Sequence, residues 1–239
     1  MATSNAHDLA AARIDQYLME RALRLRPEVR GSGIHKPTRP VIALSETMGV
    51  PVMEVAKRIG KQLGFEVLDR QVLDAILRDT RLGDKIIESL DEGSRSALDA
   101  WITGWLDYNH RVVDIRSFHH MVSRVVRGVS MHGDAVIVGR GANFILRGTN
   151  AFRVRLTAPL ELRVAAVAAA GVHGNPISLA EARRLITEQT ERRRQFIATY
   201  FRANIDDPEV YDAIFCLRRL DPDLAVGLIL DAYWRATGN

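Results

Sequence analysis

The chain has 239 residues, 47% hydrophobic and 26% charged, which suits a single α/β domain with a lid or an extra helical segment and excludes a disordered chain. One cysteine, Cys216, rules out an internal disulfide or a Cys-x-x-Cys zinc pattern and points to a reducing, cytoplasmic setting. A net charge of +4 favours anionic ligands without indicating nucleic acid. No apolar run approaches the roughly 20 residues of a membrane span, and the first residues carry no secretory h-region.

In chain order, residues 8–25 read as an amphipathic helix with Ile14, Leu18 and Leu25 on one face. Arg26 to Pro40 reads as a linker, so residues 1–40 form an appendage that packs on the body or on a second subunit. A strand–helix alternation then begins. Val41 to Leu44 is a short apolar run of the buried parallel-strand type. Pro51 suits the first turn of the next helix, whose stripe Val52, Val55, Ile59 and Leu63 ends at Gly64. Phe65 to Leu68 is a second strand, and Val72, Leu73, Ile76 and Leu77 mark another helix.

Residues 84–132 carry only helical patterns, among them Ile115, Phe118, Val122, Val125 and Val129. Ala135 to Val138 is a third strand, and Phe152 to Thr157 is a fourth that alternates apolar residues with arginine. Pro159 opens an alanine-rich helix to Ala170, followed by a loop at 171–177. Ser178 and Glu181 form a capping box that starts a helix to about Phe201. Ala213 to Leu217 is a fifth strand, and Asp221-Pro222 starts the last helix. Five short strands separated by helices predict a parallel sheet covered on both faces.

In such a sheet the ligand binds at the carboxyl ends of the strands, and the first strand–helix turn is the usual phosphate cradle. Here that turn reads Ser45-Glu46-Thr47-Met48-Gly49-Val50-Pro51-Val52. A phosphate loop needs glycines for converging N–H groups, a Lys for the phosphate oxygens and a Ser or Thr for magnesium. Only Gly49 fits. Pro51 removes an N–H donor, and Glu46 and Glu54 add negative charge.

Other segments carry a resemblance. Val136-Ile137-Val138-Gly139-Arg140-Gly141-Ala142-Asn143-Phe144-Ile145-Leu146 is similar to the GRGAN block of the bacterial cytidylate-kinase-like family. Leu68-Asp69-Arg70 resembles that family's Asp-Arg pair, and Asp91-Glu92 its Asp-Glu. Arg153 to Leu156 with Pro159 to Arg163 resembles its fourth strand and following helix. Glu191 to Arg194, Tyr200-Phe201, Asp206 to Pro208, Tyr211-Asp212 and Arg219-Leu220 follow its C-terminal order.

The resemblance covers about residues 41–235 and implies a P-loop nucleoside-monophosphate kinase fold. Its α/β body would be a five-stranded parallel sheet of order 2-3-1-4-5 flanked by helices. It would occupy residues 41–239, with a helical acceptor-side insertion at about 70–132 and a lid at about 163–200.

The family's activity is transfer of a phosphoryl group from ATP, with Mg2+, to a pyrimidine nucleoside monophosphate. By position, the resemblance implies catalytic roles for Arg140 and Arg193. It implies nucleotide or phosphate contacts for Ser45, Gly49, Asp69, Arg70, Gly139, Gly141, Asn143, Arg163, Arg192 and Arg194. The departures are SETMGVPV in place of an SRQxGSGG-type turn, Thr190 in place of an acidic residue, and Cys216-Leu217 in place of Asn-Thr. The first leaves two readings, a kinase with an unusual turn or a non-catalytic relative that binds a nucleotide or another phosphorylated small molecule.

The residues alone leave further alternatives open. Asp69 also suits a helix cap, and Arg192 to Arg194 also suit a solvated helix face, of which at most two could turn to one site. Asp206 to Glu209 reads as a solvated turn and Cys216 as a small buried residue. Trp101 and Trp105 read as core or interface, and the adjacent His119 and His120 point too far apart to share a metal. No metal site, membrane partner or nucleic-acid motif is expected, and self-association through the N-terminal helix is.

Overall fold

The computed structural model describes residues 2–25, 39–78, 80–90, 92–108, 116–172 and 174–238. Most of the expected linker, Asp91, Ile115 and the side chains of Trp101, Trp105 and His119 lie outside the described residues.

The apolar runs become strands β1 (Ile42–Glu46), β2 (Glu66–Leu68), β3 (Ala135–Val138), β4 (Phe152–Thr157) and β5 (Ala213–Cys216). They form one sheet in the order β2-β3-β1-β4-β5. β1 runs parallel to both β3 and β4, and β4 runs parallel to β5. The expected five-stranded parallel sheet is therefore present. β1 reaches two residues beyond its apolar run because Ser45 and Glu46 stay in register with Arg155 and Leu156 of β4.

The chain divides into two compact units. One comprises Ile42–Val67 with Val136–Asn239. In it, α2 (Val52–Leu63) and α10 (Pro222–Thr237) cover one face of the sheet. Val55, Ile59, Val226, Ile229 and Tyr233 close over Ile42, Leu44, Val136 and Val154. Full burial of each such apolar side chain contributes about 1.5–3 kcal/mol, so this stack is a large stabilising contribution to the unit.

The sheet edge beyond β5 ends at Cys216, whose side chain is exposed, not buried as expected, because β5 is the outermost strand. The remaining elements of this unit are α7 (Ala142–Ile145), α8 (Leu160–Ala170) and α9 (Leu179–Phe201). The Ser178 hydroxyl accepts from the Glu181 N–H at 3.2 Å, as the capping box predicts.

The second unit comprises Met1–Val41 with Leu68–Ala135. It holds α1 (Ala2–Leu25), α3 (Arg70–Arg78), α4 (Thr80–Glu88), α5 (Glu92–Tyr108) and α6 (Arg116–His132). The apolar face of α1 is turned onto this unit. Ile14 and Tyr17 are buried, and the Tyr17 hydroxyl donates to the Gly133 carbonyl at 2.7 Å. Lys85 pairs with Asp15 at 2.8 Å. The chain re-enters through Arg39, whose N–H and Nε both donate to the fully buried Asp134 carboxylate at 2.9 and 3.0 Å. No described helix is long and apolar enough to cross a membrane.

Candidate functional site

The β1–α2 turn lies entirely within the sheet-bearing unit, at the carboxyl end of β1. A phosphate cradle requires free backbone N–H groups there, and this turn engages several of its own. Thr47 N–H bonds the Leu156 carbonyl at 3.0 Å, Val50 N–H the Thr47 carbonyl at 3.2 Å, and Val52 N–H the Val50 carbonyl at 2.8 Å. Pro51 precedes α2 without a side-chain cap and has no N–H to offer. Gly49 keeps a φ of +95°, and a Cβ on it would stand 2.8 Å from the Arg163 carbonyl oxygen. The glycine is thus needed because the first turn of α8 presses against it.

The charges around the turn are specific. Arg193, from α9, places its fork on a single residue: Nη1 donates to the Glu46 carbonyl and Nη2 to the Glu46 carboxylate, both at 2.6 Å. The carboxylate is only 15% exposed, against 41% for the Arg193 side chain. Arg163 donates through Nε to the Ala158 carbonyl at 2.9 Å and reaches the Met48 carbonyl at 3.5 Å. Burial, and then the nearby charge of Arg155, push the Arg163 guanidinium below its ordinary pKa.

Arg155 is 8% exposed on β4. It donates to the Ile205 carbonyl at 2.6 Å, to the Tyr211 hydroxyl at 2.7 Å and to Asp206 at 3.0 Å. Tyr211 in turn donates to the Ile205 carbonyl at 2.8 Å. Burial raises the Tyr211 pKa, against the opposing pull of Arg155. Asp206 also takes Arg194 Nε at 2.8 Å, so within the turn, which is largely exposed as expected, Asp206 is the counter-ion of two arginines. Asp207 caps a short turn through the Glu209 N–H at 3.0 Å.

The arginine run is therefore divided. Arg193 turns to Glu46 and Arg194 to Asp206, while Arg192 is exposed.

At the end of β3, Gly139, Arg140 and Gly141 take φ values of +77°, +52° and +74°. A left-handed arginine between two left-handed glycines is uncommon and reverses the chain sharply. Gly139 N–H bonds the Leu44 carbonyl at 2.9 Å, which ties this reversal to β1. Gly141 must be glycine because a Cβ would stand 2.9 Å from the Phe201 ring. Asn143 is 2% exposed and its amide donates to the Val154 carbonyl at 3.2 Å, so its described contact braces the sheet.

In the helical unit, Asp69 caps α3 by accepting the Val72 N–H at 2.9 Å. The Arg70 side chain is largely exposed and stands 3.9 Å from Asp74. Among the described residues there is no cluster of His, Cys, Asp and Glu that could hold a metal.

The sequence singled out Ser45, Gly49, Arg163 and Arg193, and the structure gathers them about the β1–α2 turn, whereas Arg194 turns to Asp206. It missed Arg155, Tyr211 and Asp206. The alternation in β4 was the available signal, since Arg153 and Arg155 share the face opposite Phe152, Val154 and Leu156. An arginine on an inner strand must find counter-ions.

ATP and magnesium, which the fold family implies, do not suit this turn. It has no lysine and no hydroxyl in the helix's first turn, its N–H groups at Val50 and Val52 are engaged, and the Glu46 carboxylate adds negative charge there.

A search among curated proteins found no match. Among solved structures, an uncharacterized protein from Eubacterium ventriosum superposes with a TM-score of 0.63 at 17% identity, covering 82% of this chain and 98% of that one. A shikimate kinase from Acinetobacter baumannii, solved with shikimate, gives a TM-score of 0.38 at 15% identity, covering 84% and 95%. The sequence model of the cytidylate kinase-like family matches residues 41–219, the span that holds the whole sheet, the GRGAN reversal and the arginine run. The chain belongs to the cytidylate kinase-like family.

Proposed function

We propose that the protein is a non-catalytic member of its family. It binds a pyrimidine nucleoside monophosphate, or a related phosphorylated small molecule, through Arg140, and does not use its β1–α2 turn as an ATP cradle. The supporting observation is the Glu46–Arg193 contact. A phosphoryl donor requires the lid arginine and the turn's N–H groups to be available, and phosphoryl transfer depends almost wholly on such positioning and charge neutralisation. Here the arginine is held by a carboxylate, and Gly49 is packed against Arg163.

Arg140 stands at a strand's carboxyl end, where ligands of open α/β sheets bind, with glycines on both sides that allow an anion to approach the backbone. Its guanidinium suits a phosphate oxygen pair. A cytoplasmic setting agrees with the single thiol.

A thermal-shift panel of CMP, dCMP, UMP and ATP, with and without magnesium, tests this together with a coupled phosphorylation assay. The expected result is a monophosphate-dependent rise in midpoint that is lost in Arg140→Ala, no rise with ATP and magnesium, and no turnover. ATP-dependent phosphorylation of any of the monophosphates overturns the reading.

A further inference from the structure

Arg193 is the residue whose position is hardest to explain as ordinary surface charge. A solvated arginine on a helix face pairs loosely with a neighbour on the same helix, as Arg184 does with Glu188 at 3.0 Å. Arg193 instead crosses from α9 to β1, a separation of 147 residues, and closes both arms of its fork on Glu46 at 2.6 Å. A planar guanidinium fork is the geometry that grips two oxygens of a phosphate or carboxylate. The two oxygens supplied here, a carbonyl and a carboxylate of one residue, belong to the protein itself.

Beside this pair, Arg163 hydrogen-bonds carbonyl oxygens of Ala158 and Met48, so its charge is not neutralised by those contacts. A site with two arginines and one internal carboxylate is one carboxylate away from being an oxyanion site.

We propose that Glu46 is an internal gate on that site. Its carboxylate occupies the Nη2 arm of the Arg193 fork in place of an incoming phosphate-class oxyanion, and the anion is admitted to that arm when the Glu46 side chain is neutralised or displaced. The inference rests on the reading that the turn is not an ATP cradle, and it identifies the element that closes it.

The test uses the full chain and inorganic pyrophosphate, with sodium chloride at matched ionic strength as the control. Wild type, Glu46→Gln, Arg193→Ala and the double variant are compared by calorimetric titration and thermal shift. Glu46→Gln keeps the side chain's shape and removes its charge, and circular dichroism checks its fold. Glu46→Asp, whose shorter carboxylate keeps its charge but withdraws from the fork, serves as the second variant. The expected result is pyrophosphate binding by Glu46→Gln at least about tenfold tighter than by wild type, a gain equivalent to about 1.4 kcal/mol. That gain is abolished in the double variant, and Glu46→Asp lies between. Equal affinity of wild type, Glu46→Gln and Glu46→Asp overturns the proposal, as does a gain that survives Arg193→Ala. Pyrophosphate carries neither base nor sugar. A wild-type protein that binds no nucleotide would therefore defeat the functional reading and leave this comparison intact.

Discussion

If Gly49 is kept by packing against Arg163, its replacement should destabilise the free protein in the absence of any ligand. Gly49→Ala introduces two costs. The φ of +95° lies where a side chain is strained, at roughly 1–2 kcal/mol. The new Cβ would also stand 2.8 Å from a backbone oxygen, 2.9 Å from Arg163 Cα and 2.9 Å from its Cβ. Backbone cannot swing aside as a side-chain tip can, so the overpacking term applies in full, at about 1–3 kcal/mol. Gly64→Ala separates the two costs. Gly64 has a φ of +67° and no atom within 4 Å of its virtual Cβ, so it carries the backbone cost alone. Urea unfolding of the two variants should show Gly49→Ala less stable than Gly64→Ala by about 1–3 kcal/mol, with the slope unchanged. Equal destabilisation of the two, within about 0.5 kcal/mol, would refute the argument that α8 closes this turn.

Three further outcomes follow from described contacts. Arg140→Gly relieves a left-handed φ of +52° and should abolish the monophosphate-dependent thermal shift while the variant still unfolds cooperatively in urea. Tyr17→Phe removes the hydroxyl that donates to Gly133 and should cost about 1–2 kcal/mol in urea unfolding, which measures how firmly α1 is held on its unit. Tyr211 keeps its proton in the folded state beyond the ordinary pKa of 10.0, so its contribution is complete below about pH 10 and is lost as the pH rises through the raised folded value. Tyr211→Phe should be less stable than wild type near neutrality and lose less stability between neutral and strongly alkaline pH, as read by urea midpoints across that range.

The strands could be read from their apolar runs because parallel strands buried on both faces carry little else; Ala135 to Val138 is a case in which every residue is inward. Their order could not be read that way. It came from the GRGAN block and the C-terminal spacing, since pairing between β1 and β4 or β3 depends on crossovers that no local pattern records. The site was half legible. Arg140, the proposed phosphate contact, stood out by its flanking glycines, and the poor fit of the turn to phosphate was visible in Pro51 and Glu46. The partner of Glu46 was hidden, because the contact to Arg193 joins residues far apart in sequence and is specified by the packing of α9. Asp69 illustrates the opposite case: its cap on α3 is a local contact three residues long, and local chemistry suffices to predict it.

The exposed thiol at the end of β5 has a practical consequence. Cys216 is the chain's single cysteine, so a maleimide fluorophore would attach at one position on the native sequence without any engineered mutation. It sits on the outermost strand, directly in register with Thr157 of β4, and the Thr157 hydroxyl is in turn 3.5 Å from that of Thr47 in the β1–α2 turn. A dye there would sit near the β1–α2 turn, and each titration described above could be followed in labelled protein of the native sequence as well as in its labelled variants.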